Sequence, residues 1–395
     1  MGAVFSTEGK PSRIAQLASD IKQNTDLIDE YLCSKRLQTP SFEITAPSDL
    51  SLPLSLLEAQ NNLLESCTDL QALIEGPRAY LTRITSPRVS VPILGHHHFL
   101  TQTQINIFMS LHAIHHYKIA TCFAIDEQIS YEVVAERCGV DEDCIRRLLR
   151  MAISNNIFRE PKKGTIAHSA ISKLIAEEDL VYQWIGLVCN EMWPAGCKTV
   201  PAMIKWPGSE EPNETGFALA NESGFWEILK TDQQRAQRFA DGMRFLQTHP
   251  VFSVEHLFAS LGWTDETCPT VIVDIGGSQG SISKAFLRQY PNIRTCYVQD
   301  LSEALNGVTA SEEFQNRLHF QEHNFFTKQT IKDADLYYLR SILHDWSDKY
   351  AIQIIRNLIP ALKNGASVMV NEVCLPEPNA LPEYHAQLLR YDVLA

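Results

Sequence analysis

The chain has no Cys-x-x-Cys pair, no apolar run long enough to cross a bilayer, no internal repeat, and too few basic residues to balance its acids. Each absence removes a class of function. The 10 cysteines follow no regular framework, so they read as reduced thiols, and a disulfide-stapled secreted fold is not expected. The 34 basic residues against 47 acidic ones leave a formal net charge of -13. That argues against nucleic acid as a partner, because neutralising phosphates needs a basic face. With no membrane span and no secretory apolar segment in view, we expect a cytoplasmic protein that engages no membrane. Met1-Gly-Ala-Val-Phe-Ser6 fits the bare N-myristoylation pattern. An ordinary polar start is the simpler reading.

What is present is a globular composition. Hydrophobic residues make up 45% of the 395 and charged residues 21%, enough for two or three domains and a large core. Residues 1–100 read as an N-terminal helical extension. Leu17, Ile21, Leu27, Ile28 and Leu32 recur at helical spacing within residues 15–32. Residues 39–48, with Pro40 and Pro47, read as a linker. Residues 54–74 read as a second amphipathic helix, stopped by Gly76-Pro77. Two such helices have no core of their own and commonly pack on a partner chain.

Residues 101–175 have the pattern of a winged helix. Residues 105–117 are helical, a second helix lies within 129–138 and turns at Gly139, and Asp141-Glu-Asp143 leads a third, where the helix dipole favours acids. Ile145, Leu148, Leu149, Ala152 and Ile153 line its apolar face, and residues 157–168 form a hairpin turned at Lys162-Lys-Gly164. A winged helix serves DNA binding or dimerisation. Acids at the would-be recognition helix favour dimerisation, so a homodimer is expected. Residues 176–265 read as a helical connector on the substrate side, with residues 232–246 amphipathic through Phe239, Met243 and Leu246. Its Trp193, Trp206, Phe217, Phe225 and Trp226 either line a pocket for a flat apolar substrate or pack a core.

From residue 266 to 395 strand and helix alternate. Strands are expected at 271–275, 295–298, 317–320, 334–338 and 367–373, with helices at 281–289 and 350–362: an α/β, Rossmann-like parallel sheet. Gly276, Gly277 and Gly280 follow its first strand, where glycine allows a tight turn and close approach of backbone to a ligand. The second strand leads into Asp300, 20 residues past Gly280, where a carboxylate can accept both hydroxyls of a ribose. Leu339-Arg-Ser-Ile-Leu-His-Asp-Trp346 puts His344 at the carboxyl end of a further strand, the position of a general base. His96-His-His98, His112, His115 and His116 lack acids or cysteines at ligand spacing, and no metal is expected.

Residues 273–280, 298–301, 323–326, 334–348 and 371–376 resemble the S-adenosylmethionine-dependent O-methyltransferases of the plant caffeate type and their fungal polyketide (sterigmatocystin-type) relatives. The resemblance spans about residues 103–392. It implies a class I methyltransferase sheet preceded by a winged-helix dimerisation domain, S-adenosyl-L-methionine as cofactor, and a small aromatic hydroxyl-bearing substrate. It implies that Gly276 and Gly277 pack against the methionine part of the cofactor and that Asp300 holds the ribose. Asn324 and Phe325 meet the adenine and Arg340 reaches the cofactor. His344 is the base and Glu372 the acid beside it. Three departures stand out. Ser278 replaces a usual glycine and Asn324 a usual aspartate. Family members also continue for several dozen residues past Ala395, so the sheet is expected to lack its last strands and to leave residues 367–373 as an open apolar edge. The alternatives are a catalytically impaired dimerisation scaffold, a cofactor-binding relative that methylates nothing, and a winged-helix regulator.

Overall fold

Runs of β-branched and aromatic residues that are apolar on both faces have to be covered on both sides, and two such runs, Val271–Ile275 and Leu336–Arg340, are neighbouring strands of a five-stranded sheet. The computed structural model describes residues 11–39, 50, 52–85, 97–248 and 252–372. It divides into two units, Met1–Cys189 and Asn190–Ala395.

In the first unit, helix Arg13–Lys35 is capped by the Ser12 hydroxyl, which accepts from Ala15 N at 3.2 Å, and buries Leu17, Ile28 and Leu32. It packs on helix Leu54–Thr85. Gly76 breaks that helix at φ 73°, ψ 167°, yet the chain resumes helical structure at once from Pro77. Proline suits a first helical turn, where no N–H is needed. Gly76-Pro77 thus ends one helix, as expected, and a second helix begins at once behind it. All of the expected linker after Thr39, residues 40–48, lies outside the described residues. Helices His97–His116, Tyr131–Cys138 and Glu142–Ser154 follow, with Asp141 capping the third by accepting from Cys144 N at 3.1 Å. Strands β1 (Ile129–Ser130), β2 (Phe158–Arg159) and β3 (Thr165–His168) make a small antiparallel sheet in the order β1-β3-β2. Leu111, Ile114, Val134, Ile145, Leu149 and, within β3, Ile166 are buried.

The second unit opens with helices Trp193–Lys205, Gly216–Asn221, Phe225–Thr231 and Gln233–Gln247. Glu191 is buried among them and takes ion pairs from both Arg235 and Arg238. The aromatics of this region pack on one another. Phe225 meets Phe217, Trp226 and Phe239 edge-on, and Trp226 stacks on Trp346 at 5.7 Å. Strands β4 (Val271–Ile275), β5 (Thr295–Asp300), β6 (Leu318–Glu322), β7 (Leu336–Arg340) and β8 (Ser367–Asn371) form one parallel sheet in the order β6-β5-β4-β7-β8. Side chains alternate between its faces. Ile272, Cys296, Val298, Leu336 and Tyr338 pack with Phe286 on one side, and Val273, Ile275, Tyr337 and Leu339 pack with Ile354 and Leu358 on the other. The chain winds outward from β4 through β5 to β6, then returns to β7 and β8. The reversal opens a crevice at the carboxyl ends of β4 and β7, where open α/β sheets take ligands. Among the described residues β8 is an edge, with Val368 and Val370 exposed.

At the opposite end of the sheet, Asp335 fastens the start of β4. Its carboxylate accepts from Thr270 N (2.8 Å), Val271 N (2.9 Å) and Thr270 Oγ1 (2.6 Å) and pairs with Lys363 Nζ (2.5 Å). Burial opposes its charge. Lys363, Thr270 and the two N–H groups outweigh burial and hold it well below the ordinary carboxylate range.

Candidate active site

The glycine turn leaves β4 at Gly276, with φ 70°. A Cβ there would meet the movable Ile342 Cδ1 at 2.3 Å and sit on a left-handed backbone, and one on Gly277 would lie 2.6 Å from the carboxyl carbon of the buried Asp274, so both positions disfavour a side chain. Ser278 follows at φ 48°, a left-handed conformation that glycine adopts more cheaply. The departure seen in the sequence falls on a position whose backbone favours the residue it replaced. Gln299, at the end of β5, holds the turn: its carbonyl accepts from Gly276 N (2.7 Å) and Gly277 N (3.2 Å).

Asp300 closes β5. One carboxylate oxygen accepts from Ser278 N (2.9 Å) and the other from Leu301 N (2.8 Å). Burial raises its pKa, opposed by those two N–H groups. A carboxylate offers about four lone-pair sites, so two stay open after these bonds. Those two acceptor sites fit the two hydroxyls of a vicinal diol, such as a ribose, as donors. Beneath it, Asp274 is fully enclosed. Burial pushes its pKa up to about 6, the Ser283 hydroxyl at 2.7 Å opposing.

Phe325 lies against the glycine turn, its ring edge 4.0 Å from where a Gly276 Cβ would be, and meets Phe326 and Trp346. Asn324 is exposed, and its side-chain oxygen accepts from Phe326 N at 2.9 Å, bracing the loop. Arg340 ends β7 and donates to the Phe252 carbonyl at 2.7 Å. It lines a cleft of about 390 Å³ with Thr248, Phe252, Ser253, Ser281 and Ile282, at the start of the helix that follows the glycine turn.

His344 is not at a strand end. The strand stops at Arg340, Ser341 turns the chain at φ 53°, and His344 sits in the 3₁₀ turn Leu343–Asp345. Its Nδ1 lies 2.6 Å from Glu372 Oε2, while Glu372 Oε1 accepts from Ile342 N and Leu343 N, both at 2.8 Å. One carboxylate thus holds both the imidazole and the loop that carries it. Glu372 raises the His344 pKa above its ordinary value, against burial and with help from Asp345. Burial works against the Glu372 charge, but His344 and the two N–H groups hold its pKa low. Asp345, which had no role in the sequence reading, places Oδ1 3.4 Å from His344 Nε2. Burial pushes its pKa up to about 6, opposed by His344 and reinforced by Glu372. A carboxylate directly after the histidine was the available signal. The same loop reaches the glycine turn, because Ile342 Cδ1 is what a Gly276 side chain would strike. His96 lies outside the described residues, and among the described residues no three His, Cys, Asp or Glu side chains gather as a metal site.

The parallel sheet, its switch-point glycine turn and the acids at the strands' carboxyl ends define a class I methyltransferase fold. The solved structure of OxaC in complex with SAH and oxaline shares it, with a TM-score of 0.64 at 17% identity over 95% of this chain and 90% of that one. The family model described as an O-methyltransferase domain matches residues 207–394. O-methyltransferase kk1A of Curvularia clavata is 49% identical over 97% of this chain and 87% of its own length. O-methyltransferase AMT9 of Alternaria alternata is 33% identical over 96% and 86%. The chain belongs to the O-methyltransferase family, together with these two relatives.

Proposed function

We propose that the protein transfers a methyl group from S-adenosyl-L-methionine to a hydroxyl of a small phenolic or polyketide-type metabolite, in the cytoplasm and as a homodimer, with His344 as general base. The observation that carries the reading is the His344–Glu372 contact of 2.6 Å, in a loop that touches the glycine turn. Asp300, with two open lone-pair sites, is suited to the ribose. The Phe325 ring and the Asn324 amide nitrogen suit the adenine, and Arg340 suits the amino-acid end. The bare backbone of Gly276 and Gly277 admits the chain between. When bound, S-adenosylmethionine supplies a methyl group already activated as a sulfonium.

The protein then has two tasks, alignment and proton removal. Alignment alone can supply several kcal/mol. A phenol with a pKa of about 10 is mostly neutral at pH 7, so its proton has to leave as the new bond forms. Glu372 accepts from His344 Nδ1–H, which selects the tautomer whose Nε2 lone pair is free to take that proton. The raised pKa of His344 brings its proton affinity closer to the phenol's, and Glu372 and Asp345 both stabilise the imidazolium that results. A homodimer is supported by the apolar side chains that the first unit leaves open, Leu73 at 49% and Ile74 at 67% exposure. Sedimentation as a monomer at micromolar concentration would remove that part. No helix among the described residues is long and apolar enough to cross a membrane.

The test is calorimetric titration with S-adenosylhomocysteine, with Asp300→Ala as control. A genuine site stabilises the fold by about 2.7 kcal/mol at a hundredfold excess over Kd, and Asp300→Ala abolishes both heat and stabilisation. A folded wild-type protein that gives no heat removes the cofactor assignment, and the scaffold alternative takes its place.

A further inference from the structure

Two glutamines 30 residues apart are buried side by side beneath the candidate nucleoside site. Gln299 is 1% exposed and Gln329 4%. Their amides bond reciprocally: Gln299 Nε2 donates to Gln329 Oε1 at 3.0 Å, and Gln329 Nε2 donates to Gln299 Oε1 at 2.7 Å. Part of the remaining capacity is also used. Gln299 Nε2 donates to Gln321 Oε1 at 3.1 Å, and Gln329 Oε1 accepts from Ile331 N at 2.8 Å. A buried polar pair in a sheet core is costly unless fully satisfied, and an apolar pair would pack there without that demand. The pair therefore calls for a positional explanation.

Its connections supply one. The loop carrying Asn324 and Phe325 is fastened at both ends by the last two residues of β5. At the start, His323 N donates to the Asp300 carbonyl at 2.9 Å. At the far end, Gln329 is held by the Gln299 side chain. From there Gln329 N donates to the Asn357 carbonyl at 2.9 Å, and Asn357 Nδ2 returns to the Phe325 carbonyl at 3.1 Å. The Gln299 carbonyl meanwhile holds Gly276 and Gly277, and the Asp300 carboxylate holds Ser278. Backbone and side chain of Gln299-Asp300 thus tie the glycine turn, the ribose acid and the Asn324–Phe325 loop to one strand end.

We propose that the Gln299–Gln329 amide pair is a positioning element for the nucleoside half of the cofactor: it sets the distance between Asp300 and the Asn324–Phe325 loop. This rests on the cofactor reading above. The glutamines do not touch the ligand. They act by removing the freedom of a five-residue loop, Asn324 to Lys328, before binding, so their loss appears as affinity and not as chemistry at His344.

The experiment compares the full chain with Gln299→Leu, Gln329→Leu, the double variant and Asn357→Ala, reading S-adenosylhomocysteine and adenosine binding by calorimetry and initial rates of methyl transfer. In the double variant both ligands should lose tenfold or more in affinity. The KM for S-adenosylmethionine should rise in step, with a far smaller change in kcat at saturation. Each single variant should melt lower than the double, because it strands one buried amide without a partner. Gln329→Glu, which can still accept from Gln299 and Ile331 N, should fall between Gln329→Leu and wild type in affinity. A folded double variant with a lowered melting temperature but wild-type Kd and KM would overturn the proposal and leave the pair a purely structural one. If the double variant does not fold, the half-buried Asn357→Ala decides: a threefold or greater loss of affinity supports the proposal, and none overturns it. A wild-type protein that binds neither ligand overturns the cofactor reading itself, a result distinct from both.

Discussion

Glu372→Gln separates the orienting function of this carboxylate from its bulk. The glutamine side-chain oxygen can still accept from Ile342 N and Leu343 N, where Glu372 Oε1 now accepts at 2.8 Å. The other end of the side chain then becomes an NH₂ facing His344 Nδ1, where a carboxylate oxygen stood at 2.6 Å. Two donors cannot face each other, so the imidazole moves its proton to Nε2 and presents a lone pair to the amide. The nitrogen left for the acceptor hydroxyl is then already protonated and cannot act as a base. Where an amide replaces the orienting carboxylate of a histidine base in serine hydrolases, kcat falls by about 10⁴. Here the donor is a pre-activated sulfonium and alignment is untouched, so a fall of about 10² to 10⁴ is expected, equivalent to roughly 2.7 to 5.5 kcal/mol. The pH profile gives an independent reading. Wild-type activity should rise with pH through the titration of His344, with a midpoint above its ordinary value because Glu372 favours the charged ring. In the variant that support is gone, and the acid limb should move to lower pH. The assay is initial-rate methyl transfer at saturating cofactor from pH 5 to 9, with S-adenosylhomocysteine affinity as a check on the fold. A variant that keeps its rate within threefold and its acid limb in place would refute the assignment of His344 as a base oriented by Glu372.

Asp335→Ala removes the acceptor for two backbone N–H groups, one hydroxyl and one lysine at the start of β4. The expected loss is about 3 kcal/mol in urea unfolding, and a loss under about 1 kcal/mol would show that water replaces the clamp. Asp274 sets a pH dependence of the opposite kind to that of an ion-paired acid. Its folded pKa of about 6 lies above its unfolded value. The folded state therefore binds the proton more tightly, and this group's contribution is greatest at low pH and is lost as pH rises through about 6. Asp274→Asn removes that titration. Relative to wild type the variant should gain on the order of 3 kcal/mol between pH 4 and pH 7 in urea unfolding, and a gap that does not change with pH would show that Asp274 does not titrate in this range.

Much of the sheet was legible because its signals are local. Residues 271–275 and 281–289 are a strand and a helix as expected, the apolar run and the glycines between them acting within a few residues. The strand expected at 334–338 lies instead at Leu336–Arg340. Asp335 looks like part of the run, but its side chain is turned to the β4 clamp, and Ala334 N reaches the Tyr337 hydroxyl at 3.4 Å. His344 is off the strand end because Ser341 turns the chain at φ 53° directly after Arg340. β1 was missed because two residues carry no periodicity, and it exists only through pairing with β3. Asp300 could be read from its distance to the glycines. Asp345 had a signal in its place directly after His344, but Gln299 had none, since its role depends on an amide 30 residues along the chain that the fold brings near. The aromatic stretch 217–226 had two readings, pocket wall or core. The structure gives the packing: Trp226 stacks on Trp346, directly after the turn that carries His344.

One device recurs in these carboxylates and explains how an acidic chain builds a site with little cationic help. Asp300, Glu372 and Asp335 each accept from two backbone N–H groups: Asp300 from Ser278 and its own successor Leu301, Glu372 from Ile342 and Leu343, Asp335 from Thr270 and Val271. Each bond is charge-assisted, and each pair of amides belongs to a turn or strand end with no ladder partner of its own there. The acids thus serve first as acceptors that order irregular backbone, and what capacity remains is directed at ligand or base. Asp300 keeps two lone-pair sites, and Glu372 keeps one oxygen for His344. It follows that neutralising these acids acts through loop order as well as through charge. Asp300→Asn, which retains one acceptor, should keep more of the wild-type melting temperature than Asp300→Ala while losing a comparable share of S-adenosylhomocysteine affinity, because its NH₂ end opposes Ser278 N or Leu301 N and displaces the turn the nucleoside needs.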